Sequence, residues 1–440
     1  MAGRTARPRP VKAVANPEVL PWRNGVIATY FASGLVISTL VARLPSVRDA
    51  LGLSHGEVGL LLLCMTAGSF LSVSASGFIV MRLGSKRTLV LGATLASLAM
   101  AGVGIGSAVF GSVALTGLAL ALQGMGTASW NVASNVQGAA MERALGKGIM
   151  PALHGFFSVG TVVGAAAGAI GAATHLSIAW HFGLMALVVL LLVHGGARTF
   201  GPDATSTGSG PSNKALLAAA WREPRTLVLG LLVLGMALAE GAAGDWVALA
   251  LSDGYGSANT VGALGYGVFV TAMTTARMLG GRALDRFGRV LVMRVSAASA
   301  LAGLLLFVFG PSIQVAMAAL VLWGLGVALS FPIAMTAASD DPMRAAARVS
   351  VVSTIGYGAF LGGPPLLGLL ADRIGLLNAL ASVGVLVVMS FVLAGATAPV
   401  HKTTPEQEST PERKSTPEQK PEPETEPDGQ TSVGAATIKE

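Results

Sequence analysis

The residues most able to do chemistry in this 440-residue chain are ionisable side chains within long apolar runs. Charges are costly inside a bilayer, so such side chains indicate function by default. Glu240 is the strongest candidate, because it lies roughly 22 Å along its run if that run is a helix that starts near residue 225. Desolvation there favours the protonated carboxyl group, which could load and release a proton. The alternative is a structural carboxyl group satisfied by a neighbouring hydroxyl or cation.

Three further ionisable residues lie in or beside such runs. Asp245 is turned about 140° from Glu240 and lies near the outer end of the same helix, which suits an outer gate or cap paired with Arg43. Arg277 either binds an anionic group of a solute or extends to the aqueous interface. His154 titrates near neutrality, although a lone histidine is more often a packing residue. Glu240, Asp245 and His154 are the candidates for proton coupling.

Carboxamide and indole side chains indicate where a solute could bind. Asn131 and Asn135 are four residues apart, so they share a helix face beside Trp130. This group suits a polar organic solute such as a sugar or nucleoside, or else it joins helices through hydrogen bonds. The candidates for the lining of a solute cavity are Gln123, Trp130, Asn131, Asn135, Arg277 and Trp323.

Metal, cofactor and enzyme chemistry find little support in the sequence. Cys64 is the only cysteine, which excludes disulfide frameworks and thiolate metal sites. A membrane-embedded enzyme is disfavoured, since no second histidine or carboxylate pair accompanies His154. ATP-driven pumping is disfavoured by the lack of a Walker motif. We therefore expect no metal, no cofactor and no enzymatic activity.

The elements that position these residues are predicted to be membrane-spanning helices. Only 12% of residues are charged and 52% are apolar, which leaves too little polar surface for a soluble protein of this length. A hydrocarbon core roughly 30 Å thick needs about 20 residues per helix. The twelve apolar runs that meet this length lie near residues 25–44, 57–81, 88–108, 112–137, 149–173, 178–199, 225–250, 259–284, 290–309, 313–337, 348–370 and 376–396. The predicted class is all-α.

Lysine and arginine collect before the first run and after each even-numbered run, as at Arg82, Lys86 and Arg87. Positively charged loops stay in the cytoplasm, so both termini are predicted to be cytoplasmic. The net charge of +7 then reflects topology, and nucleic-acid binding has no support. Residues 1–22 are polar and interrupted by proline, which predicts an uncleaved first helix.

Internal repeats predict two halves. Residues 281–289 read Gly-Arg-Ala-Leu-Asp-Arg-Phe-Gly-Arg, and residues 77–87 hold a degraded copy with Met81 in place of the aspartate. Residues 122–126 resemble residues 322–326 at nearly the same spacing, as transporters built from repeats require. Residues 368–375 match the same motif at the outer end of the eleventh run, so the motif alone is weakly specific. The candidate gating residues are Gly281, Asp285, Arg286, Gly288 and Arg289, with Arg43 at the outer side and Gly363 and Pro364 where proline should bend or break a helix.

The motif Gly-x-x-x-Asp-Arg-x-Gly-Arg/Lys resembles the loop between the second and third helices of each half of major facilitator superfamily transporters. Residues 42–45, 131–138 and 150–160, with Glu240 and Asp245-Trp246, are similar to the bacterial inner-membrane YbjJ-like branch. The resemblance implies twelve helices in two six-helix bundles, a cavity between helices 1, 4, 7 and 10, and Asp285 as a clamp of the cytoplasmic gate. Met81 cannot act as a clamp.

The sequence thus predicts a monomeric secondary active transporter of the cytoplasmic membrane. It would move a small organic solute by alternating access, with protons and membrane lipids as its other partners. A membrane sensor that has lost transport is the alternative, as is a drug-efflux antiporter, which the missing proline in the fifth run disfavours. The predicted divisions are a disordered segment at 1–23, a bundle at 24–199, a linker at 200–224, a second bundle at 225–397 and a disordered tail at 398–440.

Overall fold

The computed structural model describes residues 19–145, 149–201, 214–341 and 343–399. These residues form helices joined by short turns, and no strand occurs among them, which confirms the all-α prediction. The segments predicted to be disordered, 1–23 and 398–440, and the predicted linker at 200–224 lie largely outside these ranges.

The described residues of the first half form seven helices. They are α1 (Val19–Ala42), α2 (Leu44–Leu51), α3 (His55–Leu83), α4 (Ser85–Ala108), α5 (Val113–Leu145), α6 (Met150–Ala173) and α7 (Ile178–Ala197). The second half begins with α8 (Lys214–Ala220) and α9 (Pro224–Leu249), which continues into a π-helical turn (Ala250–Gly254). It goes on with α10 (Asn259–Phe309), α11 (Ile313–Val327), α12 (Ser330–Ala338), α13 (Ala345–Ile374) and α14 (Leu376–Leu393), which leads into a 3₁₀ turn (Ala394–Thr397).

The helices account for the twelve predicted spans. Within the described ranges, ten helical segments are long and apolar enough to cross a membrane. One of them, α10, is two spans, because Gly288 has φ 75° and ψ 165° and interrupts it. The 33-residue α5 is long enough but more polar than these ten. Counting both parts of α10 and adding α5 gives twelve spans.

Two segments differ from the prediction. The connection between the predicted spans at 25–44 and 57–81 is largely the helix α2, because Pro45 fits a first helical turn, Leu44 and Val47 are buried, and Gly52 ends the helix at φ 64°. The tenth span, predicted at 313–337, is divided between α11 and α12 at Ala328 and Leu329. Pro332 has no amide hydrogen, so the carbonyl of Ala328 loses its helical partner there.

The two halves touch most extensively along two pairs of helices, α3 with α13 and α6 with α10. Small residues allow the first approach: a Cβ atom on Gly59 of α3 would lie 2.6 Å from the Pro364 carbonyl oxygen of α13. An apolar cluster that includes Val58 and Leu62 of the first half and Trp246, Leu367 and Ala371 of the second half is continuous across this boundary. Of the ionisable residues that the sequence analysis singled out, His154 lies in the first half, and Glu240 and Arg277 lie in the second.

The helix ends fall on two faces of the bundle. We call one the basic face; it holds the start of α1, the junctions of α3 with α4 and of α5 with α6, and the interruption of α10 at Gly288. We call the other the latched face; it holds α2, the start of α3, the π-helical turn and the end of α13.

Candidate functional site

Glu240 of α9 and Arg277 of α10 form an ion pair, which we call the charged pair. The Nη2 atom of Arg277 donates to Oε1 of Glu240 at 2.7 Å, and their side chains are 34% and 23% exposed. Arg277 lies eleven residues before Gly288, about 16 Å along the helix from that interruption. A proton-coupling role for Glu240 must therefore start from an ion pair and not from an isolated carboxyl group.

The break between α11 and α12 contacts the Arg277 guanidinium at a second nitrogen. Its Nε atom donates to the carbonyl oxygen of Ala328 at 3.4 Å. That carbonyl is available because Pro332 cannot donate to it. Arg277 is therefore anchored at a second point that does not depend on Glu240.

A set of polar side chains in the first half, which we call the polar wall, lies opposite the charged pair. His154 of α6 is exposed and lies within Coulombic range of Arg277. The ring of Tyr30 from α1 packs edge-on against His154, with centroids 5.4 Å apart. The Tyr30 hydroxyl donates to Oδ1 of Asn135 on α5 at 2.8 Å. Groups from α1, α5 and α6 are thus held together on the side that faces Arg277.

Asn131 extends the polar wall along α5. Its Oδ1 atom accepts a hydrogen bond from the Ser33 hydroxyl of α1 at 3.4 Å. Asn131 and Asn135 therefore both join α5 to α1 through their oxygens, while their amide nitrogens bond no other described residue. The sequence offered solute binding or helix packing for these carboxamides, and the geometry allows both.

Three of the predicted cavity residues are buried between helices of their own half, Gln123 and Trp130 in the first half and Trp323 in the second. Trp130 and Trp323 are fully buried and Gln123 is buried. Trp323 packs against the rings of Phe269 and Phe307, with centroids 6.1 and 5.7 Å away. The two indole nitrogens and the Gln123 Oε1 atom have no hydrogen-bond partner among the described residues. These side chains are not part of the polar wall in this conformation.

Asp245 and Arg43 are not paired with each other. Asp245 is half-buried and lies near Tyr266 of α10, whose side chain is close to Ser38 of α1. The Ser38 hydroxyl donates to the carbonyl oxygen of Thr161 on α6 at 2.5 Å. Arg43 is buried, and its Nη2 atom donates to the carbonyl oxygen of Leu176 in the turn between α6 and α7 at 2.8 Å. Tyr266 and Ser38 carry no charge, so their residue types give no signal in the sequence.

On the latched face, Asp253 joins the two halves. It lies in the π-helical turn that ends α9, and its Oδ2 atom accepts from Nη1 of Arg48 on α2. The same oxygen contacts Nε2 of His55, the first residue of α3, at 2.8 Å. A π-helical turn often marks a functional position. Here it brings one carboxylate to two side chains of the opposite half.

Asp372 of α13 makes a second connection on this face. Its Oδ2 atom accepts from the amide of Gly56 at 2.9 Å and from the Ser54 hydroxyl at 3.2 Å. The amide groups of a helix start carry partial positive charge, so a carboxylate from the other half is stabilised there. Asp372 belongs to the motif copy at residues 368–375, which the sequence analysis took only as a sign that the motif is weakly specific. We call Arg48, Ser54, His55, Gly56, Asp253 and Asp372 together the latch.

The start of α3 also carries a capping box. The Glu57 amide donates to the Ser54 hydroxyl at 3.3 Å, and the Ser54 amide donates to Oε2 of Glu57 at 2.9 Å. The box prepares the helix start, and Asp372 then adds the contact with the other half.

The ion pairs that we describe on the basic face stay within the second half. Asp340 accepts from Arg289 at 2.6 Å and from Arg225 at 3.0 Å. Arg348 of α13 donates to both carboxylate oxygens of Glu223, at 2.5 and 2.7 Å. The Arg289 of the predicted gating motif is thus engaged inside its own half.

The other gating residues of the motif, Gly281, Asp285, Arg286 and Gly288, are exposed. Asp285 and Arg286 are exposed, and the Arg286 guanidinium lies 5.2 Å from the centre of the Phe287 ring. Asp285 makes no ion pair with a described residue. A Cβ atom on Gly281 would meet nothing within 4 Å, whereas the positive φ of Gly288 requires glycine.

The predicted flex point lies in α13. The helix continues through Pro364 and Pro365 without a break, although the sequence predicts a bend or break there. A Cβ atom on Gly363 would lie 2.6 Å from Cδ1 of Leu238 in α9. Gly363 therefore lies at a close contact between α13 and α9 inside the second half.

Two cavities lie away from the charged pair. One, of about 540 Å³, lies between the start of α1 and the end of α7. The other, of about 440 Å³, lies at the latched face and is lined by residues that include Arg43, Asp49 and Asn259. In the described part of the chain, no group of three His, Cys, Asp or Glu side chains is arranged to hold a metal ion.

Twelve apolar helices in two halves, with an ion pair facing polar groups across the boundary, define a transporter-type membrane protein. The chain belongs to the Major Facilitator Superfamily, whose family profile matches residues 26–351 and 246–430. The assignment places the chain among membrane transporters and not among enzymes.

Curated relatives agree with this assignment. The chain is 31% identical over 361 residues to the uncharacterized transporter y4wD of Sinorhizobium fredii, covering 80% of this chain and 91% of that one. It is 30% identical over 371 residues to the membrane protein MosC of Rhizobium meliloti, covering 83% and 88%. These matches do not assign the chain to the narrower branch that its motifs resemble.

Solved structures agree with the fold. The nucleoside transporter NupG superposes with a TM-score of 0.66 at 14% identity, covering 87% of this chain and 98% of that one. A D-xylose-proton symporter superposes with a TM-score of 0.65 at 15% identity, covering 86% and 96%. At these identities the likeness shows the fold alone, and the predicted two-bundle architecture is confirmed.

Proposed function

We propose that this protein is a secondary active transporter that moves a small organic solute across the cytoplasmic membrane and couples it to protons through Glu240. The observation that carries this proposal is the charged pair, which lies well within the span and faces the polar wall of the other half. An ionisable pair at such a depth marks a solute or proton pathway. Two proteins of similar fold are named as a D-xylose-proton symporter and a nucleoside transporter, which supports a small organic molecule as the solute.

The excess of basic residues supports an orientation with the basic face in the cytoplasm and both termini inside. The latched face is then extracellular. Because the latch joins the halves there, the present conformation is closed to the outside. Alternating access requires that the latch opens and that the halves close on the cytoplasmic side instead.

The motif of residues 281–289 supports a gate on the cytoplasmic side. Asp285 and Arg286 are exposed in the present conformation and have no contact with the first half that we describe. In the opposite conformation Asp285 would cap a helix start of the first half, as Asp372 caps α3 now. Gly281, Gly288 and Arg289 would shape and hold that loop.

The experiment uses proteoliposomes with a labelled solute chosen by thermal stabilisation of the purified protein. Glu240→Gln should abolish accumulation driven by a pH gradient, because an amide cannot carry a proton. Exchange at equal pH should be retained, since exchange needs no net proton movement. Asp341→Asn, which removes an exposed carboxylate outside the site, is the control and should accumulate solute as the wild type does. Unchanged accumulation in Glu240→Gln would show that another group carries the proton.

A further inference from the structure

The charged pair is incomplete. Arg277 contacts Glu240 through one nitrogen and one oxygen only, at 2.7 Å. A guanidinium has five donors in a planar fork that matches a carboxylate through two parallel hydrogen bonds. Nη1 of Arg277 and Oε2 of Glu240 bond no other residue in the described ranges. One edge of the guanidinium, 34% exposed as a side chain, remains available to a ligand.

The two members of the charged pair respond differently when the pair is broken. A carboxylate that loses its cation can be neutralised by taking up a proton. An arginine cannot be neutralised in this way, because it stays protonated in proteins. An anionic ligand that displaces Glu240 can therefore be accommodated, whereas a cationic ligand that displaces Arg277 leaves a guanidinium without a counter-charge, within Coulombic range of His154. The asymmetry favours an anion.

The contacts that hold Arg277 and Glu240 in place also favour an anionic ligand. Arg277 keeps its bond to the Ala328 carbonyl oxygen when Glu240 leaves, so the guanidinium stays in place. Glu240 has no second partner among the described residues and is free to turn. The polar wall then offers His154 and the amide nitrogen of Asn135 to hydroxyl or carbonyl groups on the rest of the ligand.

From this geometry we propose, resting on the proposed function, that the transported solute is a hydroxylated organic carboxylate. Its carboxylate binds Arg277 in place of Glu240, and Glu240 then holds the coupled proton. One negative charge enters with the solute and one positive charge enters with the proton. The loaded site therefore has the same net charge as the empty one, and transport is electroneutral with one proton per monocarboxylate.

Binding is tested on the purified full chain with probe pairs that differ only in the carboxylate. The pairs are D-glucuronate with D-glucose, and D-gluconate with sorbitol. At saturating concentration a carboxylate should raise the melting temperature by about 2 °C or more, and its neutral partner should not. Arg277→Gln should lose the shift and Arg277→Lys should retain part of it. The control Arg294→Gln removes an exposed arginine from the same helix and should keep the full shift.

The proton on Glu240 is tested independently of transport. Dicyclohexylcarbodiimide modifies protonated carboxyl groups in apolar surroundings, and mass spectrometry measures the modified fraction of Glu240. At neutral pH, D-glucuronate should increase the labelling rate of Glu240 in the wild type several-fold, while D-glucose should not change it. In Arg277→Gln the labelling rate should already be high and should not respond to D-glucuronate.

Three results would overturn the proposal: no carboxylate stabilises the wild type, the neutral partners stabilise it as strongly, or D-glucuronate fails to accelerate the labelling of Glu240.

Transport measurements in proteoliposomes distinguish failure of the carboxylate proposal from failure of the proposed function. If a neutral solute accumulates with the pH gradient, the transporter proposal stands and the carboxylate proposal falls. If carboxylates bind through Arg277 but show no counterflow, binding stands and secondary transport falls.

Discussion

Glu223 shows how one residue fixes a helix end on the basic face. It precedes α9 and binds Arg348 of α13 through both carboxylate oxygens. Burial by itself would raise the pKa of the Glu223 carboxyl, but hydrogen bonds from Arg348 and Thr226 outweigh it and hold the pKa below the ordinary value of 4.5. A carboxyl group whose pKa is lowered in the folded state stabilises the fold at pH values above its ordinary pKa. This stabilisation is lost as the pH falls from 4.5 toward the lowered pKa.

Glu223→Gln should therefore lower the free energy of unfolding at neutral pH by about 2 kcal/mol, the loss of charged hydrogen bonds at a partly buried site. It should also flatten the acid side of the pH profile. Thermal unfolding of the purified protein, monitored by circular dichroism from neutral pH downward, measures both effects. Asp341→Asn is the control, because its carboxylate lies 3.8 Å or more from its arginine partners. Parallel acid profiles for Glu223→Gln and the wild type would contradict the prediction.

At this scale the sequence identifies charges better than it identifies partners. Glu240 and Arg277 both stand out, because each interrupts an apolar run. Their pairing is not encoded in spacing, since they lie on different helices and meet only when α9 packs on α10. Trp130 and Trp323 also stand out by residue type. Residue type alone does not say which helix face is turned inward, and both are fully buried.

At the scale of elements, proline and glycine decide where helices stop or bend. Pro332 divides α11 from α12 and frees the carbonyl that anchors Arg277. Gly288 divides α10 beside the motif of residues 281–289. The twelve spans could be predicted because bilayer thickness sets their length. The interruption at Ala328 could not be predicted with the same certainty, because a proline inside an apolar run does not always break its helix. Pro332 does so, whereas α13 continues through Pro364 and Pro365.

The loop at Gly288 carries a prediction about Asp285. If its carboxylate caps a helix start when the basic face closes, then Asp285→Asn destabilises that closed state by about 0.3–1 kcal/mol, a shift of roughly two- to five-fold in the equilibrium. A single cysteine at Asn135, with Cys64→Ser, reports on access to the polar wall. Its rate of labelling by a maleimide from the basic face should rise by up to that factor, because the rate follows the fraction of molecules that are open at this face.

The control for this measurement is Asp341→Asn, which removes a carboxylate from the same face without altering the loop. It should leave the labelling rate unchanged. Equal rates for Asp285→Asn and the wild type would mean that Asp285 contributes nothing to the closed state, and that the motif acts only through its glycines and arginines.

The molecule as a whole is closed at one end by charge and packing together. On the latched face Asp253 and Asp372 each bring a carboxylate of the second half to α2 or α3 of the first. The apolar cluster beneath them includes Val58, which is 1% exposed. A charged hydrogen bond contributes about 1.5–3 kcal/mol, so each carboxylate favours this conformation by about tenfold or more. The repeats predicted two halves, but not which end would be joined.

Asp253→Asn combined with Asp372→Asn should shift the equilibrium toward the conformation that is open at the latched face. In a Cys64→Ser background, a cysteine at Val58 should become accessible to an impermeant maleimide from that face, while a cysteine at Asn135 loses access from the basic face. The opposite changes at the two sites distinguish a conformational shift from partial unfolding, which would raise both rates. Glu57→Gln weakens the start of α3 without removing an inter-half contact and should change neither rate. If labelling at Val58 does not change, then apolar packing between α3 and α13 is sufficient to hold the closed end, and the carboxylates serve only to cap their helices.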